Sequence, residues 1–249
     1  MLRTFGFLSI LTILSIFSST SIAKDTYIVA SDATWPPMEN LDEHKKVVGY
    51  SSDYITAVAK EAGINIEIRN TAWDGIFAAL NADLIDIIAS SVTITDKRKQ
   101  KVMDFSKPYY NVHQAIVVPN GSPIKSIQDL NGKKVGGQIG TSGLIETLPK
   151  AKVKAIVKTY DEIGLALEDL SNGSLDAVIC DEPVANYFIK QQPEYTDHIT
   201  IAFITTEIEQ YGFAVKKGNK ELLEKINAGV KAVKEKGIEA ALIKKWIMH

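Results

Sequence analysis

Apolar and polar positions follow two rhythms along this chain. Thr26-Tyr-Ile-Val-Ala30 is a short apolar run that predicts a buried strand. Tyr54, Ile55, Ala57, Val58 and Ala62 then fall at helical spacing, and the pattern stops at Gly63, a residue type that ends helices. Ile64-Asn-Ile-Glu-Ile68 returns to a period of two. Trp73 to Leu80 carries a helical stripe at Ile76, Phe77 and Leu80, and Asp86-Ile-Ile-Ala89 predicts another strand. Short strands separated by helices of this length predict βαβ units and a mostly parallel sheet, with ligands held outside the strand ends.

The same alternation begins again further on. Gln114-Ala-Ile-Val-Val118 and Lys133-Lys-Val135 predict strands, Asp161 to Leu170 predicts a helix ended by Asn172-Gly173, and Ala177-Val-Ile-Cys180 predicts a further strand. Two α/β blocks imply two lobes. The C-terminal stretch is helical over Asn219 to Lys236 and Ile238 to Trp246, with Asn219 suited to cap the first helix and Gly237 to break the two apart.

The amino terminus follows a different pattern. Arg3 precedes a thirteen-residue apolar run, Phe5 to Phe17, and Ser21-Ile22-Ala23 supplies small residues at cleavage-determining positions. This predicts a secretory signal peptide over 1–23, too short to span a bilayer, with no lipobox cysteine, and hence a soluble, exported product. Over the whole chain, 28 Lys and Arg face 30 Asp and Glu, so no electrostatic footprint for nucleic acid is present. The single cysteine, Cys180, excludes an internal disulfide framework. The four histidines show no metal-ligand spacing, and no metal or cofactor is expected.

No catalytic signature stands out. Gly137 to Gly143 matches neither a dinucleotide fingerprint nor a phosphate loop, and Ser142 lacks the context of a hydrolase nucleophile. The informative segment is Ser90-Ser-Val-Thr-Ile-Thr-Asp-Lys-Arg98, where Thr95 is placed to cap a helix and Arg98 lies in its first turn. A guanidinium at such a strand-to-helix mouth can clamp a carboxylate, because its planar fork meets both oxygens. An arginine in a first turn is equally compatible with a solvated surface, and a carboxylate after a strand, such as Asp181, with a simple helix cap.

Further motifs lie at Asp32-Ala-Thr-Trp-Pro-Pro37, Gly49-Tyr-Ser-Ser-Asp53, Trp73-Asp-Gly75, Ser91 to Arg98 with Asp104-Phe-Ser-Lys-Pro-Tyr-Tyr110, Val135 to Ser142, Asp176-Ala-Val-Ile-Cys-Asp-Glu-Pro183, and Lys245-Trp246. In this order they resemble family 3 of the periplasmic solute-binding proteins, the polar amino-acid receptors of ABC importers of the histidine-, lysine/arginine- and glutamine-binding type. The resemblance covers nearly all of the mature chain. Ser51 departs from it, since the family usually has an acidic residue there; the expectation is a helix start outside the pocket.

The resemblance implies a two-lobed α/β fold, the type II binding-protein fold, each lobe a mixed, mostly parallel sheet flanked by helices. Lobe 1 would comprise 24–111 plus 207–249 and lobe 2 112–206, with two hinge crossings near Tyr110 to His113 and Glu207 to Gly212. It also implies roles. Arg98 would hold a ligand carboxylate with the N–H groups of Thr93 and Ser142, beside Gly140 and Thr141. Asp181 would pair with the α-ammonium, with the Thr93 hydroxyl and the Ser91 carbonyl. Trp35 and Trp73 would wall the aliphatic stem, and Asp32 would face the side-chain end. The implied protein is not an enzyme: it is a monomer that traps a free polar L-amino acid by hinge closure, a basic one ahead of glutamine, and delivers it to a membrane permease. Two rivals share the fold. One is a cyclohexadienyl or arogenate dehydratase, for which Glu39 and Glu182 are the candidate general acids. The other is a ligand-presenting signalling or adhesion protein.

Overall fold

The computed structural model describes residues 26–101 and 103–248; the segment read as a signal peptide lies outside them. Among the described residues, two five-stranded sheets carry the architecture. The first has the strand order Ile66–Asn70, Tyr27–Ser31, Ile87–Ile88, Ala214–Lys216, Met103–Phe105. The second runs Ile156–Tyr160, Lys134–Gln138, Ala177–Asp181, Gln114–Pro119, Ile199–Ile204. In each sheet the first three strands pair in parallel and the last two attach antiparallel. The antiparallel half is larger than strand–helix alternation predicts, because Gln114–Pro119 and Ala214–Lys216 enter their sheets from the other lobe rather than from a preceding helix.

The chain passes between the sheets twice. Strands Tyr110–Val112 and Glu209–Tyr211 make these passages and pair antiparallel, Tyr211 opposite Tyr110. A two-stranded ribbon between two rigid sheets is a hinge geometry. Aromatic rings pack beside it. Tyr109 stacks on Phe213 at 4.2 Å and 5°, and Tyr110 on Tyr211 at 5.7 Å.

Local chemistry accounts for most element boundaries. Helix Tyr50–Ala62 ends where Gly63 takes φ 66° and its N–H returns to the carbonyls of the last turn. Asn219 caps Lys220–Glu235 by accepting from the Leu222 N–H, and Gly237 at φ 71° separates it from Ile238–Trp246. The last helix buries no residue completely. Its anchor is Asp53, whose Oδ2 accepts from Lys245 Nζ at 2.7 Å and Trp246 Nε1 at 2.8 Å, which joins two of the sequence motifs.

Strands Ile156–Tyr160 and Ile199–Ile204 are absent from the sequence-based prediction. The first is an edge strand exposed over nearly its whole length, so burial imposes no alternation on it. The small antiparallel sheet of Thr34–Trp35, Glu39–Leu41 and Val47–Val48 is likewise too short to leave a periodic signature. It brings Trp35 and Glu39 to the mouth of the first sheet.

Gly49, which leads into Tyr50–Ala62, takes φ 131°, and a Cβ there would lie 2.3 Å from the Met38 carbonyl oxygen. Both the conformation and the space demand glycine. Gly49→Ala is expected to lower stability by about 3 kcal/mol, from overpacking and backbone strain together. Urea denaturation followed by tryptophan fluorescence checks this, and an unchanged midpoint would contradict it.

Candidate functional site

The site forms where the carboxyl ends of the two sheets face each other. Strand Ile87–Ile88 gives way to Ser90 and Ser91, the latter in a left-handed conformation at φ 47° that non-glycine residues seldom adopt. Such strain persists only where surrounding bonds over-determine it. Here Ser91 Oγ donates to Glu39 Oε2 at 3.1 Å and contacts Ser51 Oγ at 3.2 Å. Thr95 then caps the short helix Asp96–Lys101, its Oγ1 accepting from the Arg98 N–H at 3.2 Å.

This cap fixes Arg98, whose guanidinium points into the cleft and is buried. Nη1 donates to the Thr93 carbonyl at 2.8 Å, and Nη2 reaches the Gly140 carbonyl of the other lobe at 3.0 Å. Gly140 takes φ 71° at the sharp turn after Lys134–Gln138. Trp73 and Phe77 lie 5.7 and 5.5 Å from the guanidinium carbon, so the cation also rests against two rings. Burial lowers the Arg98 pKa to about 10, opposed by Glu209, Asp181 and Glu146. The fork stays charged at neutral pH.

From the second lobe, strand Ala177–Asp181 is buried along its length and delivers Asp181 to the same cleft. Asp181 Oδ1 accepts from Gln114 Nε2, and Oδ2 from Tyr211 OH and, at 3.2 Å, from Trp35 Nε1. Burial raises its pKa to about 7; the Tyr211, Gln114 and Trp35 bonds pull it down and the Glu209 charge pushes it up. Burial likewise raises Asp32, whose oxygens accept from Thr34 Oγ1 at 2.9 Å and Gln138 Nε2 at 2.8 Å.

One cleft is lined, among others, by Asp32, Trp35, Trp73, Ser91, Thr93, Arg98, Thr141, Ser142 and Asp181. These are nine of the ten residues expected from the sequence, and the tenth, Gly140, touches Arg98 through its carbonyl. The lobes are closed on each other. Trp73 Nε1 donates to the Ile139 carbonyl at 2.8 Å and Thr93 Oγ1 meets Ser142 Oγ at 3.1 Å, while Trp35–Asp181, Gln138–Asp32 and Arg98–Gly140 also cross the cleft.

Four partners in this network lie outside the sequence-based set. Gln114 and Gln138 are fully buried amides on strands and hold Asp181 and Asp32. Gln114 opens one strand and Gln138 closes another, so a polar residue at a strand end is the signal that marks them. Tyr211 and Glu209 belong to the hinge. Glu209 accepts from Ser142 Oγ at 2.6 Å, Thr93 Oγ1 at 3.3 Å and Thr147 Oγ1 at 3.2 Å, a convergence that no local pattern encodes. Ser51 begins a helix as expected but stands directly behind the cleft, bonded to Ser91 and, at 3.0 Å, to Tyr109 OH. Glu182 lines a separate cavity beside Tyr187 and Trp246, whereas Glu39 lines the main cleft.

Two α/β lobes closed about a charged cleft, with a ribbon hinge, define a two-lobed binding protein of type II. Residues 27–249 match the bacterial extracellular solute-binding proteins, family 3, and the chain belongs to that family. A probable histidine-binding protein of Neisseria gonorrhoeae is 37% identical over 216 residues, 85% of this chain and 79% of that one. An ancestral arginine-binding protein, solved with arginine, superposes with a TM-score of 0.82 at 40% identity, covering 90% of this chain and 98% of its own. Solved with glutamine it gives 0.83 at 40%, covering 91% and 99%. An ancestral amino-acid-binding protein described as a precursor of cyclohexadienyl dehydratase gives 0.79 at 36%, covering 90% and 96%. Among the described residues, no helix is long and apolar enough to cross a membrane.

The carboxyl of Asp181 is expected to titrate at about 7 in the closed, ligand-free form. Tyr211→Phe removes a bond that favours the anion, so the midpoint moves up. Carbon-13 NMR of the aspartate side chains reads both values; a midpoint near 4, or a downward move in the variant, contradicts the assignment.

Proposed function

We propose that the protein binds a free polar L-amino acid, a basic one ahead of glutamine, and presents it in the closed form to the membrane permease of an ABC importer. A signal peptide over 1–23 would direct the mature chain, as a monomer, to the periplasm. The hinge separates lobe 1, residues 24–111 and 207–249, from lobe 2, residues 112–206.

One observation carries this reading. A buried guanidinium from one lobe and a buried carboxyl from the other line the same small cleft. A zwitterion supplies the counter-charge to each at once, and a ligand that touches both lobes lowers the closed state selectively. Arg98 takes the carboxylate, together with the N–H groups of Thr93 and Ser142. Asp181 takes the ammonium, with Ser91 and the Thr93 hydroxyl. Trp35 and Trp73 lie along the stem, and Asp32, with Asp74, Asp161 and Glu162 at the adjoining mouth, faces the side-chain end. The relatives that bind histidine and arginine support the class of ligand.

Prephenate as a substrate fits the charge less well. Prephenate carries two carboxylates and no cation, whereas the cleft lining has three carboxyls and one guanidinium. Incubation with prephenate or arogenate is expected to produce no new ultraviolet absorbance, and steady turnover would overturn the binding-protein reading.

Titration calorimetry with the twenty amino acids tests the proposal, and binding of acidic or aliphatic ones alone would refute it. Arg98→Ala is expected to weaken binding by at least ~3 kcal/mol, since it leaves a buried ligand charge unpaired. Near-normal affinity in the variant would contradict the assigned role.

A further inference from the structure

Glu209 is half-buried on the second crossing strand, behind the cleft rather than among the residues that line it. Two backbone bonds tie its strand to the segment around Thr93: the Ile94 N–H donates to the Gln210 carbonyl at 2.8 Å and the Gly212 N–H to the Val92 carbonyl at 3.1 Å. The side chain of Glu209 is thereby held at the back of Thr93. Four donors converge on it, none of them a cation. Oε2 accepts from Ser142 Oγ at 2.6 Å, Gln114 Nε2 at 3.2 Å and Thr93 Oγ1 at 3.3 Å, and Oε1 accepts from Thr147 Oγ1 at 3.2 Å. Gln114 Nε2 also donates to Asp181, so one amide links the two carboxyls.

Counting protons shows what this convergence does. A hydroxyl has one proton and two lone pairs, and a carboxylate only accepts. The 2.6 Å bond commits the Ser142 proton to Glu209. Ser142 Oγ then has only lone pairs to offer Thr93 Oγ1, 3.1 Å away, so Thr93 is the donor in that contact. Towards Glu209 it is the donor as well. Both protons are drawn to the Glu209 side, and the Thr93 hydroxyl turns a lone pair to the cleft it lines.

We propose that Glu209 is a positioning residue for amino-acid binding: by drawing the protons of Ser142 and Thr93 it makes the Thr93 hydroxyl a fixed acceptor for the ligand's α-ammonium. This rests on the amino-acid-binding reading above and deepens it. A freely rotating hydroxyl between Arg98 and Asp181 could donate to the ligand carboxylate as readily as accept from the ammonium. Fixed by Glu209, it favours one orientation of the zwitterion before the ligand arrives, and no rotor is left to order on binding. Thr93 and Ser142 come from different lobes, so the arrangement is complete only in the closed form.

A double-mutant cycle tests this. The mature protein is titrated calorimetrically with L-arginine, or with the tightest binder of the twenty amino acids if that is another. Glu209→Leu keeps bulk and removes the acceptor, and is expected to weaken binding about 10-fold, as loss of one hydrogen bond to a charged group does. Glu209→Gln keeps an acceptor oxygen without the charge and is expected to stay within about threefold of the unaltered protein. Thr93→Val is expected to weaken binding about as much as Glu209→Leu, and the double variant to lose no more than about threefold beyond Thr93→Val, because both changes act through one bond. A general effect on the hinge or the fold would add in full. Additive losses in the double variant, or unchanged affinity in Glu209→Leu, would overturn the proposal. Equal losses in Glu209→Gln and Glu209→Leu would overturn it too, in favour of a plain effect of charge. If Glu209→Leu does not fold, Glu209→Met takes its place in the same cycle. Failure of all twenty amino acids to bind the unaltered protein would instead bring down the reading of the whole site, a result distinct from binding that Glu209 leaves untouched.

Discussion

Buried opposite charges on separate lobes are the constraint around which this molecule is organised. Arg98 can be fixed only from the first lobe, through the Thr95 cap and the Thr93 carbonyl, and Asp181 only from the second, at the end of a fully buried strand. Neither group is stable in a low-dielectric cleft without partners. In the closed form each borrows them across the gap, Arg98 from Gly140 and Asp181 from Trp35. Closure is thus tied to electrostatics, because opening the cleft breaks these bonds and returns the charges to water.

The hinge belongs to the same network. Glu209 lies on one crossing strand and accepts from Thr93 of the first lobe and from Ser142 and Thr147 of the second. Two residues on, Tyr211 donates to Asp181 and stacks on Tyr110 of the other crossing strand. Tyr109 packs flat against Phe213 and reaches Ser51, which in turn bonds Ser91. Polar contacts in the cleft and aromatic packing at the pivot therefore share residues, and the ribbon cannot turn without disturbing the site.

Polar side chains at strand ends set the finer geometry. Gln114 and Gln138 hold Asp181 and Asp32, and Gly143 makes room, since a Cβ there would lie 2.6 Å from Gln114 Oε1. The amides explain how three carboxyls occupy one small cleft. Two are satisfied by neutral donors, and the third, Glu39, keeps an open oxygen.

Much of this was legible in the sequence because it depends on local rules. Periodicity marks Tyr50–Ala62, Trp73–Asn81 and Ala177–Asp181, Gly63 and Gly237 mark helix ends, and Asn219 and Thr95 mark caps, since each follows from backbone geometry within a few residues. The motifs also singled out nine of the residues that line the cleft. What they could not supply was any relation between positions a hundred residues apart. The exposed edge strand Ile156–Tyr160, the antiparallel half of each sheet, the amide partners of Asp32 and Asp181, and the place of Glu209 at the hinge were decided by how two lobes meet. Those contacts form between surfaces, and a surface exists only once the chain has folded.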